Sequence, residues 1–313
     1  MQEISIRTAV VTGPTGAIGC ALCGYLLQKN VKVYAVTRPN SERLGQLPRG
    51  VQIVPCDIEQ LYMLKEKIAK PIDAFFHLAW AHTIGNGRND MLAQTNNIRN
   101  AIEAVHAAST LGCKVFVGAG SQAEYGRIKG KLTGETPCFP ENGYGMAKLC
   151  AGEMTRVECA KTGIRHQWAR ILSIYGPGDT RQSMISSVIA QLLKGEKPAL
   201  TRGEQMWDYL YASDAAAALY GMACRGKDGK VYPVGSGTAR PLREYIEILR
   251  DQIDPALPLG FGEITYGSQQ VMHLQADITE LEIDTGFEPS VAFEDGIRET
   301  IRFEQKEREK KRQ

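Results

Sequence analysis

Residues 12–19 read Thr-Gly-Pro-Thr-Gly-Ala-Ile-Gly, between a β-rich run at 7–12 and a helix-like stretch at 17–29. Glycines recur at 13, 16 and 19. In a strand–turn–helix setting, one glycine permits the tight turn. Another lets the backbone approach a pyrophosphate, and another allows the helix to pack closely on the strand. The helix start then points free N–H groups at the anion. This spacing predicts a dinucleotide bound by Gly13, Thr15, Gly16, Ala17, Ile18 and Gly19.

The pattern downstream agrees with such a turn. Apolar runs at 31–37, 51–54, 74–79 and 114–117 read as strands, and 61–69 and 90–110 read as helices. Repeated strand–helix units imply a parallel sheet with right-handed crossovers. A long helix at 144–161 and a strand at 167–174 follow, after which the alternation becomes irregular. The expected fold is α/β: a Rossmann-type doubly wound parallel sheet with a smaller, mixed α/β C-terminal substrate lobe. Residues 1–175 form the dinucleotide-binding part. Residues 176–302 form mainly the substrate lobe, interleaved with the first part, and 303–313 form a charged tail, a solvated helix end or a frayed terminus.

Composition excludes several classes. Of 313 residues, 43% are hydrophobic, too many for a disordered chain. Lys and Arg number 37 against 35 Asp and Glu, a net charge of +2 that offers no general field for nucleic acid. No apolar run approaches the ~20 residues of a membrane helix. Eight cysteines lack paired metal-ligand spacing, since the Cys20–Cys23 pair lies in a helix and has no second pair. They read as reduced thiols of a cytoplasmic protein without a metal.

The end of the second strand discriminates between dinucleotides. An acidic residue there would bond a ribose 2′-hydroxyl. This chain has Thr37 and Arg38, with Ser41 and Arg43 close behind. A cation for a 2′-phosphate predicts NADP preferred over NAD.

Tyr144 and Lys148 stand four apart at a helix start, so they share a face. A phenol titrates near ~10 and is a poor acid–base group alone. A neighbouring ammonium favours the phenolate, which makes Tyr144 a proton relay for a hydroxyl or carbonyl. Ser121 lies just past the fifth strand, within reach of the same oxygen.

Together, residues 12–19, His77-Leu78-Ala79, Ser121-Gln-Ala-Glu-Tyr-Gly126, the Tyr144–Lys148 pair and Tyr175-Gly-Pro-Gly178 resemble the extended short-chain dehydrogenase/reductases. The subgroup is the NAD-dependent epimerase/dehydratase family, whose usual substrates are nucleotide sugars. The resemblance extends to residues 208–214 and 286–289. It implies Ser121, Tyr144 and Lys148 as the catalytic triad and Asp57 and Ile58 as adenine contacts. Leu78, Ala79 and Ala81 would line the cofactor. His82 falls where a loop faces the nicotinamide and sugar, as an auxiliary group or as a packed histidine. The family's dimers suggest a homodimer through helices 90–110 and 144–161.

Departures from the family pattern narrow the chemistry. Its 4,6-dehydratases carry carboxylates immediately after the catalytic Ser or Thr, where this chain has Gln122 and Ala123. Glu124 lies one residue on, and an extended segment would turn it the other way. Its fucose-forming reductase–epimerases carry cysteine at the position of Ala123. What remains is redox at one carbinol or keto carbon, C4. A ketoreductase is slightly favoured by Arg38, with a 4-epimerase holding its cofactor tightly as the alternative. A non-catalytic dinucleotide sensor would have lost the Tyr–Lys pair. Ser173 replaces the usual diphosphate-binding Asn, Trp207 replaces an Arg clamp, and 267–270 replace a late Arg element. Arg181 or Arg202 would then hold the diphosphate, or the substrate is not an ordinary nucleoside diphosphate sugar. Trp207 stacks on a base or sugar, or packs the lobe.

Overall fold

The computed structural model describes residues 3–69, 71–179 and 183–310. Seven strands make one sheet: β1 (Thr8–Thr12), β2 (Lys32–Thr37), β3 (Gln52–Pro55), β4 (Ala74–His77), β5 (Val115–Ser121), β6 (Arg165–Ile171) and β7 (Lys230–Val234). Their order is β7-β6-β5-β4-β1-β2-β3, and every pairing is parallel. Strands β4 and β5 are buried along their whole length, as central parallel strands covered on both faces must be. The strand order reverses at β1. Helix Ala17–Gln28 leads from β1 to β2 on one side, and β4 lies on the other. Ligands of open α/β sheets bind at such a switch point.

Several elements differ from the sequence expectation. Residues 61–69 are not one helix. Asp57 accepts the Glu59 N–H and starts a 3₁₀ stretch over Ile58–Met63, which leaves one α-turn, Leu64–Lys67. Strand β5 runs on past Val117 through two glycines. The Trp168 ring, projecting from β6, occupies the space of a side chain at both Gly118 and Gly120. The strand near 167–174 breaks at Leu172, and Ser173–Tyr175 pairs instead with Tyr209–Tyr211. Residues 303–310 form the last turns of helix Phe293–Lys310. Ile297, Ile301 and Glu304 face inward there at helical spacing.

The chain crosses between its two parts more than once. Helix Ala212–Arg225 packs on helix Ala17–Gln28, and β7 then closes the sheet beside β6. A second core gathers Tyr175, Ile189, Tyr245, Leu249, Phe293 and Ile297. Beneath the sheet surface, His77, Phe116, His166 and Trp168 stack ring on ring at 6.1–6.2 Å.

Burial lowers the His77 imidazole to about 3 and His166 to about 4. Both are neutral in the folded chain, whereas the unfolded chain protonates them near pH ~6.5. Their stabilisation is complete above that pH and is lost as pH falls through the window below it. Between pH 6.5 and 4.5 the pair should cost roughly 4–5 kcal/mol. Urea midpoints at the two pH values measure the drop, and His166→Phe should remove about half of it.

Candidate active site

The glycine loop divides its tasks by position. Gly13 has a φ of +68°, and a Cβ there would lie 2.8 Å from the Ala79 nitrogen. A Cβ on Gly19 would lie 2.2 Å from the Gly13 carbonyl oxygen, so this glycine lets the helix meet the turn. At Gly16 the nearest atom would be 3.6 Å away, which leaves its outer side open. Gly16 also caps the helix with no side-chain bond, and the first turn holds no acidic residue. Its free N–H groups suit an anion. Thr15 and Ala17 are half-buried in this loop, and Ile18 reaches the neighbouring cleft.

At the end of β2, the Thr37 hydroxyl is buried with no protein partner. Arg38 beside it is exposed. The Arg43 Nη2 donates to the Gly178 carbonyl at 2.8 Å, tying this rim to the Tyr175–Gly178 segment. Asp57 and Ile58 are half-buried past β3, with Ile58 against the core. Open space at Gly16, an uncapped helix and an orphaned Thr37 hydroxyl fit a dinucleotide.

A cleft of about 290 Å³ adjoins this loop, lined among others by Ile18, Leu78, Trp80, Ser121, Tyr144 and Lys148. Asn142 caps helix Gly143–Thr162 by accepting the Gly145 N–H at 2.9 Å. Asn89 accepts the Gly143 N–H at 2.9 Å, which fixes the helix start against the loop carrying Arg88. Tyr144 stands edge-on to Trp80, and the Arg88 guanidinium covers its ring at 4.4 Å. Lys148 is buried. Its Nζ donates to the Ala119 carbonyl at 2.6 Å and lies 3.8 Å from the Trp80 ring centre.

Burial lowers the Lys148 ammonium to about 7, opposed by the negative charge of Glu124. Burial raises the Tyr144 phenol, opposed by a hydrogen bond with Ser121 and by the Arg88 charge. The Ser121 hydroxyl accepts the Ala123 N–H at 3.2 Å and keeps its own proton to donate on the cleft side, where Tyr144 lies. The three residues named from the sequence thus meet in one place. Trp80 and Arg88, which frame the phenol and the ammonium, were not expected. The signal for Trp80 was its place directly after Leu78-Ala79.

Leu78 lines the cleft, while the Ala79 N–H donates to the Thr12 hydroxyl at 3.3 Å. Both main-chain groups of Ala81 bond the Asn97 amide. His82 is exposed at a φ of 57°, with its ring against Gly87, and Thr83 forms the cleft wall nearby. Ser173 and Trp207 do come together, since the indole N–H donates to the Ser173 hydroxyl at 2.8 Å. Arg202 is exposed, and Arg181 lies outside the described residues. The Ser268 carbonyl, in the turn replacing the late Arg element, accepts from Arg127 at 3.1 Å.

Glu124 differs from expectation. It is not in an extended segment but in a 3₁₀ turn, fully buried and paired with Arg170 at 2.7 Å. Among the described residues, no helix is long and apolar enough to cross a membrane.

A family model, "NAD dependent epimerase/dehydratase family", matches residues 9–235. The chain belongs to this family. Among curated relatives, a dTDP-glucose 4,6-dehydratase from Xanthomonas campestris pv. campestris is 27% identical over 197 residues, covering 59% of this chain and 56% of that one. The chain thus spans little more than half the length of that relative. A dTDP-6-deoxy-L-talose 4-dehydrogenase (NAD(+)) from Aggregatibacter actinomycetemcomitans is 26% identical, covering 76% of this chain and 87% of that one. Among solved structures, a UDP-N-acetylglucosamine 4-epimerase from Methanobrevibacter ruminantium M1, in complex with UDP-N-acetylmuramic acid, superposes with a TM-score of 0.87. It is 24% identical and covers 98% of this chain and 100% of that one. A UDP-glucuronic acid 4-epimerase from Bacillus cereus, in complex with NAD, gives 0.82 at 20% identity, covering 96% and 99%. At these identities the superpositions establish the fold. This epimerase/dehydratase-family chain therefore shares its architecture with proteins named as 4-epimerases.

Proposed function

We propose that this protein is an NAD(P)-dependent oxidoreductase or epimerase of a nucleotide-linked sugar, acting at a single carbinol or keto carbon, C4. The observation that carries this reading is the convergence of Ser121, Tyr144 and Lys148 in a cleft beside an anion-ready glycine loop. The loop 13–19 would hold the pyrophosphate, with Thr37 and Arg38 at the adenosine end and Leu78 and Ala79 along the cleft. A bound nicotinamide would supply hydride exchange with the carbinol carbon. Ser121 holds the substrate oxygen by its hydroxyl, and Tyr144 gives or takes the proton on that oxygen. Lys148 keeps a positive charge beside the phenol, which favours its ionised form during transfer.

Elimination has less support, although several relatives are named as 4,6-dehydratases. Gln122 and Ala123 carry no acid, and the Glu124 carboxylate is sealed against Arg170 and Trp168. A ketoreductase is favoured over the 4-epimerase by the exposed Arg38 and the absent carboxylate at the end of β2. The same two facts support NADP over the NAD held by the solved neighbour. Arg38→Ala should bring NADPH affinity down about ten-fold and leave NADH unchanged. A fluorescence titration with equal losses for both cofactors would end this preference.

The deciding experiment is acid release of any cofactor that survives purification, followed by identification by mass. Stoichiometric dinucleotide marks a closed redox cycle, hence an epimerase. Empty protein that oxidises NADPH with a 4-keto-6-deoxy sugar nucleotide marks a ketoreductase. Failure of both, across a panel of UDP- and dTDP-sugars, would reject the sugar reading.

A homodimer is part of this proposal. Helix Gly143–Thr162 exposes Met146, Cys150, Met154 and Val157 in a line, and the adjacent helix Met91–Thr110 exposes Met91 and Leu92. A second copy of the same pair would cover both strips. Met154→Glu should convert the dimer to monomer in light scattering. A wild-type monomer would reject it.

A further inference from the structure

We propose that Glu124 is a positioning residue: its buried carboxylate holds the Ser121 backbone in place, at the end of the same strand segment whose Ala119 carbonyl accepts the Lys148 ammonium. This rests on the catalytic reading of Ser121 and Lys148 above. Glu124 Oε1 accepts the Ser121 N–H at 2.7 Å, while the Ser121 hydroxyl accepts the Ala123 N–H. The two bonds are reciprocal and lock the turn after β5. Ser121 is therefore set by a group three residues on, not by strand pairing alone.

The carboxylate is itself fixed from β6. The Trp168 indole N–H reaches both its oxygens at 3.1 and 3.2 Å, and the Arg170 Nε donates to Oε2 at 2.7 Å. Arg170 also donates to the Gly134 carbonyl and lies on the Tyr125 ring at 4.8 Å. Gly120 and Gly152 leave room for this indole, since a Cβ at either would lie within 3 Å of it. Burial pushes the Glu124 carboxyl up, and Arg170 with the N–H donors from Ser121 and Trp168 opposes that. A carboxylate removed from water and given this many donors is anchored, not solvating.

Lys148 is surrounded as follows. His77 on β4 is neutral, the Trp80 ring lies over the ammonium, the Ala119 carbonyl accepts from it, and Tyr144 lies one turn back on its own helix. Glu124 is the carboxylate whose field reaches it, and that field favours its charged form. Tyr125, Cys138, Tyr144 and Arg170 are the other titratable groups within the field of Glu124. The Ser121 hydroxyl and the Ala119 carbonyl that holds the ammonium thus lie on one stretch of chain, and this carboxylate fixes its end.

The test is an NMR titration of the full chain with 13Cε-labelled lysine, with Lys148→Met assigning the signal. Glu124→Gln should lower the Lys148 midpoint by about one pH unit, and Glu124→Asp should restore it. Glu124→Asp is too short to reach the Ser121 N–H, so exchange of the Ser121 amide should quicken about ten-fold. If Glu124→Gln does not fold, exchange of the Ser121 amide in Glu124→Asp, which keeps the buried ion pair, carries the test. An unmoved Lys148 midpoint, or an unmoved Ser121 amide, overturns the proposal. Neither reading depends on turnover, so full activity in Tyr144→Phe would retire the proton relay separately.

Discussion

Tyr144→Phe is expected to lower turnover about 10²–10⁴-fold while the fold and dinucleotide affinity stay unchanged. The phenol hydroxyl is the one atom removed. The ring keeps its edge contact with Trp80 and the guanidinium of Arg88 over its face. The loss should appear in kcat, because a proton relay acts in the transition state more than in substrate binding. The pH profile gives a second check. Lys148, brought down to about 7, should leave an inflection near neutrality in the wild-type profile. Turnover should fall on the alkaline side as the ammonium loses its proton, provided the proton relay is limiting. Stopped-flow measurement of NADPH oxidation, compared with the thermal midpoint of both proteins, separates a chemical defect from an unfolded one. A variant that turns over at the wild-type rate would remove Tyr144 from the mechanism.

The second large effect is a split between two glycines of the same turn. Gly16→Ala should leave the thermal midpoint unchanged, since the added methyl meets no atom closer than 3.6 Å. It should nevertheless weaken dinucleotide binding about 10–100-fold, the cost of losing one or two charge-assisted hydrogen bonds to a pyrophosphate. Gly19→Ala should instead destabilise the fold outright, because its methyl would overlap the Gly13 carbonyl and the Pro14 backbone. Calorimetric titration with NADPH and NADH, beside thermal melts, measures both. Equal behaviour of the two variants would mean that the anion does not sit on Gly16.

The glycine turn and the Tyr144–Lys148 pair were legible because each is a local pattern. Their spacing within one turn or one helix carries the whole signal. Strand β5 was harder: Gly118 and Gly120 look like a strand end, and their reason is an indole on another strand. Glu124 was misplaced for the same cause, because its partners Trp168 and Arg170 lie more than forty residues away. Trp80 follows directly on Leu78-Ala79 and so had a local signal, whereas the Arg88 guanidinium reaches the Tyr144 ring only through the fold, and no spacing rule marks it. Strand β7 was hidden in the irregular stretch after Gly176, since its pairing with β6 joins segments with residues 172–229 between them.

That last pairing bears on synthesis. Val234 aligns with Ile171 and Lys230 with Gln167, and the Gln167 amide and His166 N–H bond Gly226 and Asp228. While only the first 175 residues have left a ribosome, the outer edge of β6 has no neighbour. Its row of open N–H and C=O groups is a template for any passing strand. A fragment ending at residue 175 is therefore expected to expose this edge. The edge is covered only once residues 230–234 have been made and laid beside it.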